Sequence, residues 1–156
     1  MAKKAVLGKT VPDITLSANG DKEISLSDYY GRKLVLYFYP KDNTPGCTRE
    51  SQEFRDHYTK FKRRKTEIVG VSRDSVKSHD NFIKKQELPF DLIADTDEKL
   101  CNLFEVIKLK NMYGKQVRGI ERSTFIIDEE GVLRKEWRKV KVAGHVEEVL
   151  NALKEL

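Results

Sequence analysis

"KLVLYFYPKDNTPGCTRE", Lys33 to Glu50, carries a strand, a turn and the start of a helix in one short run. The segment "KLVLYF" shows no polar alternation and is rich in branched and aromatic side chains, as expected of a strand buried on both faces. Pro40 ends it, and the polar residues that follow make a turn. Pro45 suits the first turn of a helix, where its missing N–H is not needed, and Gly46 lets the backbone come close to whatever binds at the sulfur of Cys47. From about Cys47 a helix follows, with Phe54, Tyr58 and Phe61 on one face.

The same grammar continues on both sides. Upstream, "VPDITLSANGDKEISLSDYYGRK" reads as short strands around an Asn-Gly-Asp turn, then a brief helical turn. Downstream, "TEIVGVS" (Thr66 to Ser72) is a second buried strand, Asp74 or Ser75 caps a helix, and Pro89 enforces its stop. "PFDLIADT" supplies another strand, and Asp97 opens a helix holding Leu100, Cys101 and Phe104. A looser stretch precedes "STFIIDEEGVLRKEWRKV", a hairpin turning at Glu129–Gly131. "HVEEVLNALKEL" closes the chain as an amphipathic helix, with Val146, Val149, Leu150 and Leu153 on its apolar face. Strands alternating with helices, then a hairpin and a helix, imply a central mixed β-sheet flanked by helices. This is the order of a thioredoxin-like α/β sandwich, spanning residues 1–156 as a single domain.

Hydrophobic residues at 38% and charged residues at 35% fit a soluble globular chain rather than a disordered one. No apolar run approaches the length of a membrane span, and the N-terminal lysines are not followed by a signal-peptide core. Two cysteines do not make a disulfide scaffold, so a reducing cytoplasm is expected. The net charge of +5 raises the question of nucleic acid. Its densest source, "KFKRRK" (Lys60 to Lys65), falls at a helix end, where cations complement the macrodipole, and no nucleic-acid motif accompanies it.

A free thiol titrates near 8.5 and is mostly protonated at neutral pH. At a helix N-terminus, unpaired backbone N–H groups and the helix dipole favour the thiolate, which makes Cys47 a candidate nucleophile. Thr44, three residues earlier, offers a hydroxyl that both donates and accepts. The alternative reading of the same residues is a small buried packing cysteine beside an ordinary turn. His57, His79 and His145 are scattered, and no zinc spacing, phosphate loop or dinucleotide fingerprint occurs, so no metal or cofactor is expected.

"FYPKDNTPGCTRE" resembles the active-site signature of peroxiredoxins, and is similar in wording to their bacterioferritin comigratory protein, or peroxiredoxin Q, subfamily. "VPDITL", "VGVSRDS", "NMYGK" and "ERSTFIIDEEG" extend the resemblance over nearly the whole chain. It implies a thiol peroxidase reducing hydrogen peroxide and organic hydroperoxides. Cys47 would be the attacking thiolate that becomes a sulfenic acid. The resemblance also implies that Thr44 orients the peroxide, Pro40 shields the sulfur and Arg122 stabilises the charge on sulfur and on the leaving oxygen. Glu50 would hold Arg122.

The sequence departs from that subfamily in one respect. A resolving cysteine often stands five residues after the attacking one, where this chain has Gln52, or on the next helix, where it has Ile83. Cys101 remains, and it either packs or resolves. The leading expectation is a one-Cys cycle in a monomer, with thioredoxin, glutaredoxin or a small thiol as reductant. Resolution by Cys101 is the alternative, followed by a bridge between subunits. A non-catalytic thioredoxin-like binding module is the rival from another class. A sulfenic acid without a nearby partner persists longer and is expected to reach sulfinic acid sooner.

Overall fold

The computed structural model describes residues 4–156, apart from the side chain of Met112. Its elements run β1 (Thr15–Ala18), β2 (Lys22–Ser25), β3 (Lys33–Phe38), α1 (Pro45–Asp56), α2 (Tyr58–Arg63), β4 (Thr66–Ser72), α3 (Val76–Gln86) and β5 (Asp91–Ala94). They continue with α4 (Lys99–Leu103), β6 (Ile107–Met112), β7 (Lys115–Ile120), β8 (Ser123–Ile127), β9 (Leu133–Trp137) and α5 (His145–Leu153). Seven strands form one sheet in the order β2-β1-β5-β4-β3-β8-β9. The β3–β4 and β4–β5 pairs are parallel, whereas β8 runs antiparallel to β3 and β9. The sheet is therefore mixed: the late β8–β9 hairpin on one side and the early β1–β2 hairpin on the other add antiparallel strands to the parallel centre β3–β4–β5.

The unbroken apolar character of β3 has a direct consequence for the site. Leu34, Leu36 and Phe38 point into one apolar layer, shared with Leu100, Cys101 and Phe104 around α4. Val35, Tyr37 and Tyr39 point into the other, shared with Cys47, Phe54, Phe61, Phe82, Val146 and Val149. Period-two geometry thus places the two cysteines on opposite faces of the sheet.

Tyr37 organises the layer that holds Cys47. Its ring stacks on Phe54 at a centroid distance of 4.6 Å, and its hydroxyl lies 2.9 Å from Ser51 Oγ. It can lie flat across β4 because its neighbour there is Gly70. A β-carbon on Gly70 would stand 2.6 Å from Leu92 Cδ2 and 2.8 Å from Tyr37 Cζ. Gly70→Ala is therefore expected to cost about 1–3 kcal/mol by overpacking, read as a lowered urea midpoint at unchanged slope.

Three local features differ from the sequence expectation. The helix after the turn begins at Pro45 and breaks at His57, whose ring nitrogen Nδ1 binds the Glu53 carbonyl at 2.8 Å and so satisfies an end of α1. The basic run sits on and just beyond α2 instead. Asp95, not Asp97, serves the start of α4, accepting from the backbone N–H groups of Leu100 at 3.1 Å and Cys101 at 2.7 Å. The looser stretch is an antiparallel ribbon, β6–β7, separate from the main sheet. Its turn residues Tyr113 and Gly114 both have positive φ, as a primed hairpin turn requires. Ser75, the other candidate cap, does cap α3, its hydroxyl accepting from Ser78 N–H at 3.1 Å.

Candidate active site

The turn after β3 delivers Cys47 to the first turn of α1, where Thr44 is the N-cap and Pro45 the first helical residue. Cys47 is 1% exposed, enclosed by the aromatic layer under α1. Glu50 lies three residues further along the same helix and is fully buried. Arg122, between β7 and β8, reaches both. One guanidinium nitrogen donates to Cys47 Sγ at 3.3 Å, and the other donates to Glu50 Oε1 at 2.6 Å. The Arg122 carbonyl accepts from Val140 N–H at 3.0 Å, which fixes the backbone from which the side chain projects.

Gly46 has a specific role in this approach. A β-carbon there would lie 3.3 Å from the Arg122 nitrogen that donates to sulfur, so any larger residue crowds the guanidinium. Burial pushes the Glu50 carboxyl up to about 7, against the lowering effect of the Arg122 charge and hydrogen bond. Its second oxygen has no partner among the described residues. Thr44 is half-buried and its hydroxyl donates to the Lys41 carbonyl at 2.8 Å, leaving its lone pairs to accept. Pro40 is half-buried at the end of β3.

Lys110 was not singled out by the sequence. It extends from the β6–β7 ribbon to donate to the carbonyl of Ile120, two residues before Arg122. Burial and the neighbouring Arg122 charge lower its pKa. The ribbon's alternation was the available signal, but four cations and no anions between Ile107 and Ile120 disguised it. Cys101 is fully buried in the opposite layer, where burial, then the Asp95 charge, push its thiol well above the usual range. The structure therefore joins Cys47, Gly46, Glu50 and Arg122, sets Thr44 and Pro40 beside them in the same turn, and leaves Cys101 across the sheet.

The family described as AhpC/TSA matches residues 7–136. The chain belongs to this family. It is a peroxiredoxin of the Bcp/PrxQ type, a thiol-dependent peroxidase. It is 56% identical over 142 residues to peroxiredoxin Bcp of Xanthomonas campestris pv. campestris, covering 91% of this chain and 89% of that one. With peroxiredoxin Bcp of Bacillus subtilis it is 51% identical over 150 residues, 96% of each chain. A solved structure of the Xanthomonas campestris bacterioferritin comigratory protein, studied for alkyl peroxide reduction, superposes with a TM-score of 0.90 at 53% identity, covering 97% of this chain and 98% of that one.

In this peroxiredoxin the two usual resolving positions serve packing instead. Gln52 donates to the side chain of Gln86 at 2.8 Å, and Arg55 donates to the Gln86 carbonyl at 2.8 Å, lacing α1 to the end of α3. Ile83 packs against the aromatic layer. Among the described residues no helix is long and apolar enough to cross a membrane.

Proposed function

We propose that this peroxiredoxin runs a one-Cys cycle on hydrogen peroxide and organic hydroperoxides, acting as a monomeric single domain in a reducing cytoplasm. The observation that carries the reading is the Arg122 guanidinium shared between Cys47 Sγ at 3.3 Å and Glu50 at 2.6 Å. A bidentate cation at that point stabilises negative charge on sulfur before attack and on the leaving oxygen during it.

In the first half-reaction the Cys47 thiolate attacks one peroxide oxygen. The S–O bond forms as the O–O bond breaks, and the departing oxygen takes a proton to leave as water or an alcohol. Thr44 orients the substrate by accepting its hydrogen, and Pro40 limits access of bulk water to the sulfur. Cys47 is left as a sulfenic acid. In the second half-reaction an external thiol attacks that sulfur, water leaves, and a second thiol releases the reduced Cys47 with formation of a disulfide. Thioredoxin, glutaredoxin or a low-molecular-weight thiol fits this requirement. The sulfur itself is the redox group, so the cycle calls for no metal or cofactor. Activity of the Xanthomonas campestris relative toward alkyl peroxides supports the wider substrate range.

The position of Cys101 favours this cycle over internal resolution. A disulfide needs Cα atoms within roughly 7 Å, and here the sheet itself stands between two buried thiols. Intact-mass analysis after one equivalent of hydrogen peroxide, without added thiol, tests the reading. Gain of one oxygen, trapped at Cys47 by a sulfenic-acid reagent, is expected. Loss of two hydrogens within a monomer would show Cys101 resolving, and a linked dimer would show resolution between subunits. An unchanged mass would overturn the reading altogether.

A further inference from the structure

Next to the Cys47 group lies a second buried polar cluster that the peroxidase cycle does not use. Asp42 belongs to the turn between β3 and α1, two positions from both Pro40 and Thr44, and its side chain is 1% exposed. One carboxylate oxygen accepts from the Tyr39 hydroxyl at 2.6 Å. The other accepts from Ser78 Oγ at 2.8 Å and meets His79 Nδ1 at 2.8 Å. His79 is fully buried, and its Nε2 lies 2.9 Å from the Ile93 carbonyl of β5. The turn's backbone is held as well: Asp42 N–H donates to Asp74 at 2.8 Å, and Asp74 also accepts from Ser72 Oγ at 2.6 Å.

The partners determine where the protons are. A carbonyl only accepts, so His79 Nε2 carries a hydrogen. The contact between Nδ1 and the Asp42 carboxylate then holds a further proton between ring and carboxyl, and the pair is neutral overall. Either group alone would be a poor occupant of this place: a buried carboxylate without that proton is an uncompensated charge. Asp42, Asp74 and His79 have ligand-type atoms within 4.8 Å of one another. Those atoms are already engaged by protein donors, so the cluster is a clamp and not a cation site.

We propose that Asp42 and His79 are positioning residues for the peroxidase reaction. The pair ties the turn carrying Pro40 and Thr44 to α3 and, through Ile93, to β5, and so holds the N-cap Thr44 and the Cys47 that follows it in place at the start of α1. Its shared proton keeps an unpaired anion out of the turn that holds the reacting sulfur. The groups facing the pair are Tyr39, Ser78, the Ile93 carbonyl and Asp74, which Ser72 holds; the sulfur faces Arg122, which Glu50 holds. The inference rests on Cys47 as the attacking group.

The test is the second-order rate of oxidation of the reduced protein by hydrogen peroxide in four forms: wild type, Asp42→Asn, His79→Asn and the double variant. Asp42→Asn is nearly isosteric, and its amide can donate to a neutral His79 while its oxygen accepts from Tyr39; about a threefold loss is expected. His79→Asn keeps a donor toward Asp42 but removes the partner that neutralises it, and should slow oxidation about thirtyfold. The double variant removes the charge again and should recover to about fivefold below wild type. Such recovery is the discriminating result, because two independent packing losses would multiply. Should His79→Asn fail to fold, Ser78→Ala, which strips one donor from the same oxygen, is expected to slow oxidation about threefold. A double variant slower than His79→Asn, or a His79→Asn or Ser78→Ala rate equal to wild type, would overturn the proposal. A wild-type protein inert to peroxide would instead overturn the peroxidase reading.

Discussion

Arg122→Met should lower the second-order rate of Cys47 oxidation by hydrogen peroxide by about 10²- to 10³-fold, the loss typical of one preorganised donor aimed at developing charge. The Arg122 side chain is largely enclosed, 16% exposed, so its field at the sulfur is only partly screened. Its geometry is also pre-set. Glu50 holds one nitrogen, Val140 fixes the backbone, and Gly46 leaves room for the nitrogen that reaches Sγ. The variant should still fold. Burial already pushes Glu50 up to about 7, and without the opposing cation its carboxyl goes further and is neutral at pH 7, leaving no orphan anion. Arg122→Lys restores charge without the planar fork, and about a tenfold deficit should remain. Stopped-flow oxidation with thermal melts on the same samples separates the two effects. A methionine variant within threefold of wild type would remove Arg122 from the mechanism.

The parts of this design differ in how far they can be read from the chain. β3 and α1 are legible because their signals are local: a continuous apolar run, then Pro45 and Gly46 ahead of an apolar helical face. The late hairpin is legible for the same reason. Arg122 is not local, since 75 residues separate it from Cys47. Without a family resemblance, nothing in its neighbours distinguishes it from a surface arginine. The β6–β7 ribbon escapes because both its faces carry cations, so period-two burial leaves little trace in the sequence. The Asp42–His79 contact escapes for another reason. It depends on the parallel register of β4 and β5, which decides where Ile93 offers its carbonyl. Opposite burial of Cys47 and Cys101 is likewise implicit in the alternation of β3, but it emerges only once α1 and α4 are assigned to faces.

Two buried groups near Arg122 should oppose each other in the dependence of stability on pH. Burial raises the Glu50 carboxyl from 4.5 to about 7, so the folded protein binds a proton that the unfolded chain releases. Its contribution is fully present below pH 4.5 and is lost as pH rises through 7, on the order of 3 kcal/mol. His145 behaves in the reverse sense. Burial, then the Arg122 charge, lower it from 6.5 to about 4, and its ring nitrogen Nε2 pairs with the Thr124 hydroxyl at 2.8 Å. Its contribution is fully present above pH 6.5 and is lost as pH falls through 4, by a similar amount. Between pH 4.5 and 6.5 the two slopes cancel, and urea unfolding of the wild type should show little net change from them. Glu50→Gln should unmask a rise of about 3 kcal/mol with pH across that window, and His145→Gln a comparable fall. Asp13, Glu98, Asp128 and Glu129 all have lowered values, and because they are present in the wild type and in both variants alike, their contributions cancel when the slopes are compared. Matching slopes in the two variants would contradict this assignment. Above pH 7 the ionised Glu50 costs stability yet supplies the anion that aims Arg122 at the sulfur, so Glu50→Gln should be both more stable at pH 8 and slower with peroxide.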